Sequence, residues 1–322
     1  MRIVMISDCA HVGETLAGYF PEEIHTGHIM RSRNLLDKTA KIAWKILRAK
    51  GDIFHCHYLL QDCWLALRFG KRPVLGHAHG SDLRESINHI VWGRIVRRNL
   101  RECDKIVVST PNLLETAKEF NESAEYVPNI VNREVFYPKH KPTLSSDKAM
   151  LKVLIASACD WSIRGTDRVI KALSAIRKNI DVRMISYGVD LSRTLTLAQS
   201  LGVRVKLLPR IPHTEMPHYY WNADIVIASI GIGGTLGVTA LEAIACGRPV
   251  VANASSKFSV YDTFPIHDVS TPKKIAKTIL SFSETDLWRE EHKYFESYHD
   301  PKKITERFIA IYDQLIGEMA SD

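Results

Sequence analysis

The chain alternates short apolar, β-branched runs with longer segments of helical spacing. Residues 2–8, 52–57, 73–78 and 105–109 read as buried strands, with a short one near 126–129. Helices are expected at 31–50, 61–69, 94–101 and 111–120, the last with Pro111 in its first turn. A polar, proline-bearing segment at 138–150 then breaks the pattern. A second series follows, with strands at 152–156, 182–186, 205–208 and 223–230 and helices at 166–176, 192–201 and 216–221. Helices at 273–282 and 301–318 close the chain. Strands that alternate with helices imply parallel, doubly wound sheets. The architecture expected is α/β, with two Rossmann-like domains facing a cleft and ligands at the carboxyl ends of the strands.

The most informative stretch is 223–253. A continuous apolar run ends at Ile230, and Gly231, Gly233, Gly234 and Gly237 then crowd one turn. Helical character returns from Val238 to Cys246, Gly247 stops it, and Pro249 lies just beyond. This is a strand, a glycine loop, a helix and a second strand starting at Val250. Glycines admit positive φ and let a ligand approach the backbone. The helix start offers N–H groups and partial positive charge to phosphate or sugar oxygens. Glu242 lies in the helix body, where its carboxylate could accept two hydroxyl hydrogen bonds, as a ribose would offer.

The run Leu241-Glu242-Ala243-Ile244-Ala245-Cys246-Gly247-Arg248-Pro249-Val250-Val251 resembles the C-terminal signature of family 4 glycosyltransferases, Leu-Glu-Ala-Met-Ala-Cys-Gly-x-Pro-Val-Val. Three further segments are similar in order and spacing: His79-Gly80-Ser81-Asp82, Ser109-Thr110-Pro111, and Val127 to Asn132 with Phe136 and Pro138. The resemblance implies the GT-B fold and a retaining, metal-independent transfer from a nucleoside diphosphate sugar, UDP- or GDP-linked, to a glycan or lipid-linked acceptor. It implies domains over 1–140 and 151–300 joined by 141–150, with 301–322 packing back on the first domain. By the same resemblance Glu242 binds the nucleotide ribose, Arg164 stands where a lysine grips the diphosphate, and His79 contacts the donor sugar. These three are the catalytic candidates. The implied donor set is Gly13, Ser157, Arg164, Ile211, Gly233, Gly234, Thr235, Leu236, Gly237, Val238 and Glu242, with His57 and Asp82 on the acceptor side. No cofactor and no metal are implied. Two positions depart from the family: Gly234 replaces its first glutamate, and no arginine stands near Ser157 or Ala158. These departures favour an alternative, a non-catalytic relative that binds a nucleotide sugar or a partner enzyme.

Composition narrows the partners. The 322 residues are 45% hydrophobic and 25% charged, ordinary for a globular protein of two domains. No apolar run approaches the roughly 20 residues of a membrane span. The formal net charge of +7 permits phosphorylated small molecules or an anionic membrane surface, and no nucleic-acid motif accompanies it. Basic segments at 31–50 and 94–101 suit lipid headgroups, or simply water. Six scattered cysteines without a C-x-x-C point to a reduced, cytoplasmic protein, peripheral at the inner membrane face if lipid is the partner. His55-x-His57 and His77-x-His79 end two expected strands, and period-two spacing puts each pair on one face. That pattern suits zinc and supports a metal hydrolase as a further alternative. Gly231-x-Gly233-x-x-x-Gly237 also resembles a dinucleotide fingerprint, but no acid follows at Ala252 or Asn253 to take a ribose.

Overall fold

A computed structural model describes residues 1–31, 40–141 and 150–321. The chain divides into two compact units, Met1–Ile130 with His299–Asp322, and Val131–Tyr298. The expected linker lies almost wholly outside the described residues. Val131 and Phe136 are core residues of the second unit, packed in one cluster with Leu154, Tyr220 and Leu241.

The first unit holds six strands: β1 (Arg2–Ile6), β2 (His25–Ile29), β3 (Ile53–His57), β4 (Val74–Ala78), β5 (Lys105–Val108) and β6 (Glu125–Tyr126). They pair in parallel in the order β2-β1-β3-β4-β5-β6. Every residue of β3 and β4 is buried, because helices cover both faces of the sheet. Helix Pro301–Ser321 belongs to this unit and brings Phe308 and Tyr312 against the ring of His55. Strand β2 is absent from the sequence reading. Its residues, HTGHI, are mostly polar and form the sheet edge, where one face and one flank stay wet. The segment that holds Gly13 forms helix Val12–Gly18. Of the basic helix expected at 31–50, the described part is Ile42–Arg48; Arg33, Leu35 and Lys38 lie outside the described residues.

The second unit holds β7 (Leu151–Ile155), β8 (Ile180–Ile185), β9 (Val205–Leu208), β10 (Ile225–Ile227) and β11 (Val250–Val251), again parallel, in the order β11-β10-β7-β8-β9. Strand β10 is shorter than the apolar run that announced it, although Ala228 N–H still bonds Val251 O at 3.0 Å. Apolar clusters fill both faces of this sheet. Helix Leu287–Tyr298 was not expected, because its sequence is rich in charge. It buries one stripe, Glu291, Tyr294 and Phe295.

Glu291 is fully buried, and its Oε2 accepts the N–H of Val250 at 3.0 Å. His267 Nε2 lies 3.5 Å from its other oxygen. Burial pushes the Glu291 carboxyl well above its usual range and His267 down to about 4, so the pair is neutral rather than ionic. A raised carboxyl stabilises the fold fully below the unfolded-state value of about 4.3 and loses that stability as pH rises toward its folded value. Glu291→Gln, which keeps an acceptor for Val250, is therefore expected to raise the urea midpoint at pH 8 more than at pH 4. Equal shifts at both pH values would show that Glu291 is not held neutral.

Candidate functional site

In the second unit the strand order reverses between β7 and β10, so the loops after these strands diverge and leave a place for a ligand. The loop after β7 is braced by Asp160. Its Oδ1 accepts the N–H of Ile163 at 2.7 Å and the hydroxyl of Ser162 at 3.0 Å. Gly165, in the left-handed region at φ 70°, then starts helix Thr166–Ser174. This path leaves the Arg164 side chain exposed at the loop tip while Ser157 stays buried.

The glycine loop after β10 is tied to that tip by backbone hydrogen bonds, with the Ser229 hydroxyl donating to Ile163 O at 3.4 Å beside them. Ile230 N–H donates to Arg164 O at 3.1 Å and Ile232 N–H to Ile163 O at 3.3 Å. Gly231 sits between them, where a Cβ would lie 1.9 Å from Ile163 O. No side chain fits there. Gly233 and Gly234 both have positive φ, 97° and 58°. Gly234 O accepts from Ser255 N–H at 2.9 Å, and a Cβ at 234 would meet Ser255 Cβ at 2.8 Å. A glutamate at this position would have to displace Ser255, so the backbone and the departure from the family agree.

Helix Val238–Ala245 follows, with Gly237 as its N-cap. Val238 is half-buried at its start, and Glu242 is buried one turn on. Glu242 Oε1 lies 2.5 Å from His213 Nε2, and Oε2 accepts the Tyr220 hydroxyl at 3.1 Å. Burial, then the neighbouring carboxylate, pushes the Tyr220 hydroxyl well above its usual range, so it remains a donor. Both carboxylate oxygens therefore have fixed partners, and the group is held in one orientation.

The ends of β8 and β9 complete the site. Tyr187 follows β8, and the Arg210 guanidinium carbon lies 5.6 Å from its ring centre. Burial raises the Tyr187 hydroxyl, Arg164 and Arg210 draw it back down, and Glu242 pushes it up. Both guanidiniums and the Glu242 carboxylate thus act on one phenol. Ile211 packs, half-buried, against the same apolar cluster as Tyr187.

The expected residues Ser157, Arg164, Ile211, Gly233, Gly234, Thr235, Leu236, Gly237, Val238 and Glu242 all lie on these loops and this helix. Leu236 is turned inward: its side chain is buried, and its N–H donates to the Tyr261 hydroxyl at 3.0 Å. It offers a ligand neither. Sequence reasoning missed Tyr187, Arg210, His213 and Tyr220. Tyr187 and Arg210 stand just past the ends of β8 and β9, and the strand-end rule could have found them. His213 and Tyr220 gave no local signal, since their partner is 29 and 22 residues away.

Gly13, His57, His79 and Asp82 lie in the first unit. Asp82 is fully buried, and its oxygens accept the N–H groups of Gly80, Leu83 and Leu59 at 2.9, 3.1 and 3.3 Å. It fastens loops and does not face an acceptor. Gly13 donates its N–H to Asp8 Oδ1 at 2.8 Å, and a Cβ there would lie 2.7 Å from His57 Nε2. His57 Nδ1 lies 3.0 Å from His79 Nε2, and burial holds both imidazoles below their usual range, His57 at about 4. His57 also lines a cavity of about 410 Å³ with Ser7, Asp8, Arg31, Tyr58 and Trp92. The cavity sits where the strand order of this sheet reverses, between β1 and β3. Ser7 and Tyr58, at the ends of those two strands, both adopt left-handed backbone conformations, φ 61° and 72°. Strain of this kind clusters at functional sites. Arg31 grips Asp62 through two bonds of 2.6 Å, and Ser7 donates to the same carboxylate.

Two family profiles match the chain. The one described as "Glycosyltransferase Family 4" covers residues 15–135, and the one described as "Glycosyl transferases group 1" covers 151–282. A D-inositol 3-phosphate glycosyltransferase of Streptosporangium roseum is 27% identical over 276 residues, 74% of this chain and 63% of the relative. A GDP-mannose-dependent alpha-(1-6)-phosphatidylinositol monomannoside mannosyltransferase of Mycolicibacterium smegmatis is 27% identical over 210 residues, 59% of this chain and 54% of the relative. The chain thus spans less than two thirds of the length of these relatives. Among solved structures, Anabaena Alr3699/HepE in complex with UDP and glucose matches with a TM-score of 0.74 at 13% identity, over 98% of this chain and 100% of that one. That likeness establishes the fold.

Because the Glu242 carboxylate is oriented by two donors, removing either is expected to loosen it. Tyr220→Phe and His213→Gln should each weaken UDP or GDP binding roughly five- to tenfold, the equivalent of about 1 to 1.4 kcal/mol for one hydrogen bond to a charged group. Calorimetric titration measures this. Unchanged affinity in both variants would remove Glu242 from the nucleotide site.

Proposed function

The chain belongs to the family 4, group 1 glycosyltransferases, and on that premise we propose that it moves a sugar from a UDP- or GDP-linked donor to a hydroxyl acceptor. The transfer proceeds with retention at the anomeric carbon and needs no metal in the chemical step. The observation that carries this reading is the buried, doubly oriented Glu242 beneath a glycine loop that is tied to the Arg164 loop. In this reading Glu242 accepts the ribose hydroxyls. Arg164, Arg210 and the N–H groups at the start of helix Val238–Ala245 absorb the charge that develops on the departing diphosphate. Arg210 fills the need for a second cation that the sequence left open near Ser157. Gly233, Gly234 and Thr235 let the donor sugar lie against backbone. Burial lowers the His79 imidazole, so a ligand of the first unit would meet it as a hydrogen-bonding group and not as a cation.

We assign the acceptor to the cavity of the first unit, and its class to a glycan or lipid-linked glycan. The exposed Ile90, Val91 and Trp92 precede the basic residues Arg94, Arg98 and Arg101, a surface suited to anionic lipid headgroups. Among the described residues no helix is long and apolar enough to cross a membrane, so lipid contact would be peripheral. All six cysteines are free thiols, which suits the cytoplasmic face. The family match to both units displaces the hydrolase and oxidoreductase readings as the activity. The non-catalytic reading is kept alive by Gly234, which supplies no carboxylate to the donor sugar.

A thermal-shift screen of nucleotide sugars, followed by donor hydrolysis and transfer assays over a broad acceptor panel, tests the proposal. Stabilisation by one donor with turnover supports the enzyme. Stabilisation without hydrolysis or transfer supports the non-catalytic relative. Within the enzyme reading, Glu242→Ala should weaken nucleotide binding, whereas Arg164→Ala should lower turnover by a factor of about 100 with little loss of nucleoside affinity. Wild-type kinetics in both variants would reject the site.

A further inference from the structure

His55 and His57 on β3, and His77 and His79 on β4, send their rings to one face of the first unit's sheet. They form two facing pairs. His55 Nε2 lies 3.1 Å from His77 Nδ1, and His57 Nδ1 lies 3.0 Å from His79 Nε2. Along each strand the rings lie close: His55 and His57 stack with centres 4.3 Å apart, and His77 and His79, tilted by 31°, are 4.1 Å apart. The terminal helix closes the array: the Tyr312 hydroxyl is 2.8 Å from His55 Nδ1, and the Phe308 ring lies 5.5 Å from His55 and from His77. His55, His57 and His77 are at most 1% exposed. Nε2 of His57 and Nε2 of His77 are buried without a hydrogen-bond partner. The proposed transfer uses His79 and, as cavity lining, His57, and leaves His55 and His77 unexplained. Four imidazoles with two orphaned nitrogens are a costly way to fill a core.

We propose that His55, His57 and His77 form a transition-metal site that takes zinc or a similar divalent ion. One ring nitrogen from each lies within 4.8 Å of the others. Zinc held at about 2.0–2.1 Å in a tetrahedron spaces its ligand nitrogens about 3.3 Å apart. The His55 and His77 nitrogens are 3.1 Å apart, near that spacing, but face each other as hydrogen-bond partners, so binding an ion requires both rings to turn and His57, stacked on His55, to turn and close from as much as 4.8 Å. The donors are neutral nitrogens with no carboxylate among them, which selects zinc, nickel, cobalt or copper over calcium and magnesium. The Tyr312 hydroxyl, accepting from His55 Nδ1, leaves Nε2 as the atom that meets the ion, the usual task of an outer-shell partner. The proton that His77 Nδ1 now shares with His55 moves to His77 Nε2, the orphaned atom, so no net proton need be released at that ring. His57 lines the 410 Å³ cavity and His79 is partly exposed, which gives an ion a way in. Occupancy would clamp β3, β4 and, through Tyr312, helix Pro301–Ser321. The site shares no residue with the donor loops of the second unit, but His57 also lines the cavity to which the acceptor is assigned, so a bound ion would border that cavity.

The full chain, stripped with chelator, is titrated with ZnCl₂ by calorimetry and with CoCl₂ by visible absorption. One ion per chain is expected, with tetrahedral cobalt bands and a melting temperature that rises with zinc and returns with EDTA. His77→Gln and His55→Gln should each weaken binding at least tenfold, while Glu242→Gln, a change in the other unit, leaves it intact. No saturable binding by the wild type, or undiminished binding by folded His77→Gln, would overturn the proposal. If the variants do not fold, zinc-edge X-ray absorption of the wild type decides. A nitrogen shell with imidazole scattering supports the site, and a shell containing sulfur overturns it.

Discussion

The second unit's candidate site depends on one close approach. Gly231 brings the chain after β10 so near the peptide of Ile163 that no side chain could intervene, and two backbone hydrogen bonds lock the approach. The loops on either side of a strand-order reversal normally diverge. Here they are joined at one point, so the Arg164 tip and the glycine turn hold a fixed relation before any ligand arrives. A guanidinium at the end of a mobile loop would lose affinity to ordering; one on a loop tied at its base loses less. The same tie places the helix start, and so Glu242, relative to the cation.

Charge in this site is managed by burial as much as by pairing. Glu242 keeps its orientation because His213 and Tyr220 hold both oxygens, and Tyr220 cannot lose its proton in so apolar a setting. Arg164 and Arg210 come from different strand ends and act on the same phenol, Tyr187. Two guanidiniums acting on a half-buried neutral phenol, and not on a carboxylate partner, leave their positive potential unneutralised. In the first unit the opposite arrangement holds: Arg31 in the cavity wall is gripped by Asp62, and Asp82, buried away from that wall, is enclosed by peptide N–H groups. A carboxylate's place in a motif does not reveal whether it faces a substrate or a loop.

The histidines show how one pattern can serve two purposes. Alternation along β3 and β4 is enough to put four imidazoles on one face, and the sequence shows that much. Whether they are lining, ligands or a proton-sharing array depends on the nitrogens' separation and on what covers them. The cover is Tyr312 and Phe308, from a helix more than 200 residues further along the chain.

Local pattern determined most of the fold. Parallel strands buried on both faces must be short, apolar and β-branched, and helices between them must carry one apolar stripe, so β1, β3, β4, β7 and the helix bearing Glu242 were legible. The pattern failed where burial is partial: β2 lies at a sheet edge and reads as polar, and helix Leu287–Tyr298 hides a thin apolar stripe among charges. The glycines and Glu242 could be read as a site because they are contiguous in the chain. His213 and Tyr220 could not, because each acts on a group supplied by a distant segment, whereas Tyr187 and Arg210 were marked only by their place at strand ends. Sequence fixes which chemistry stands at the end of which strand. Only the packed sheet decides which of those ends converge, because convergence is set by strand order and by backbone approach, and neither is written in any local run of residues.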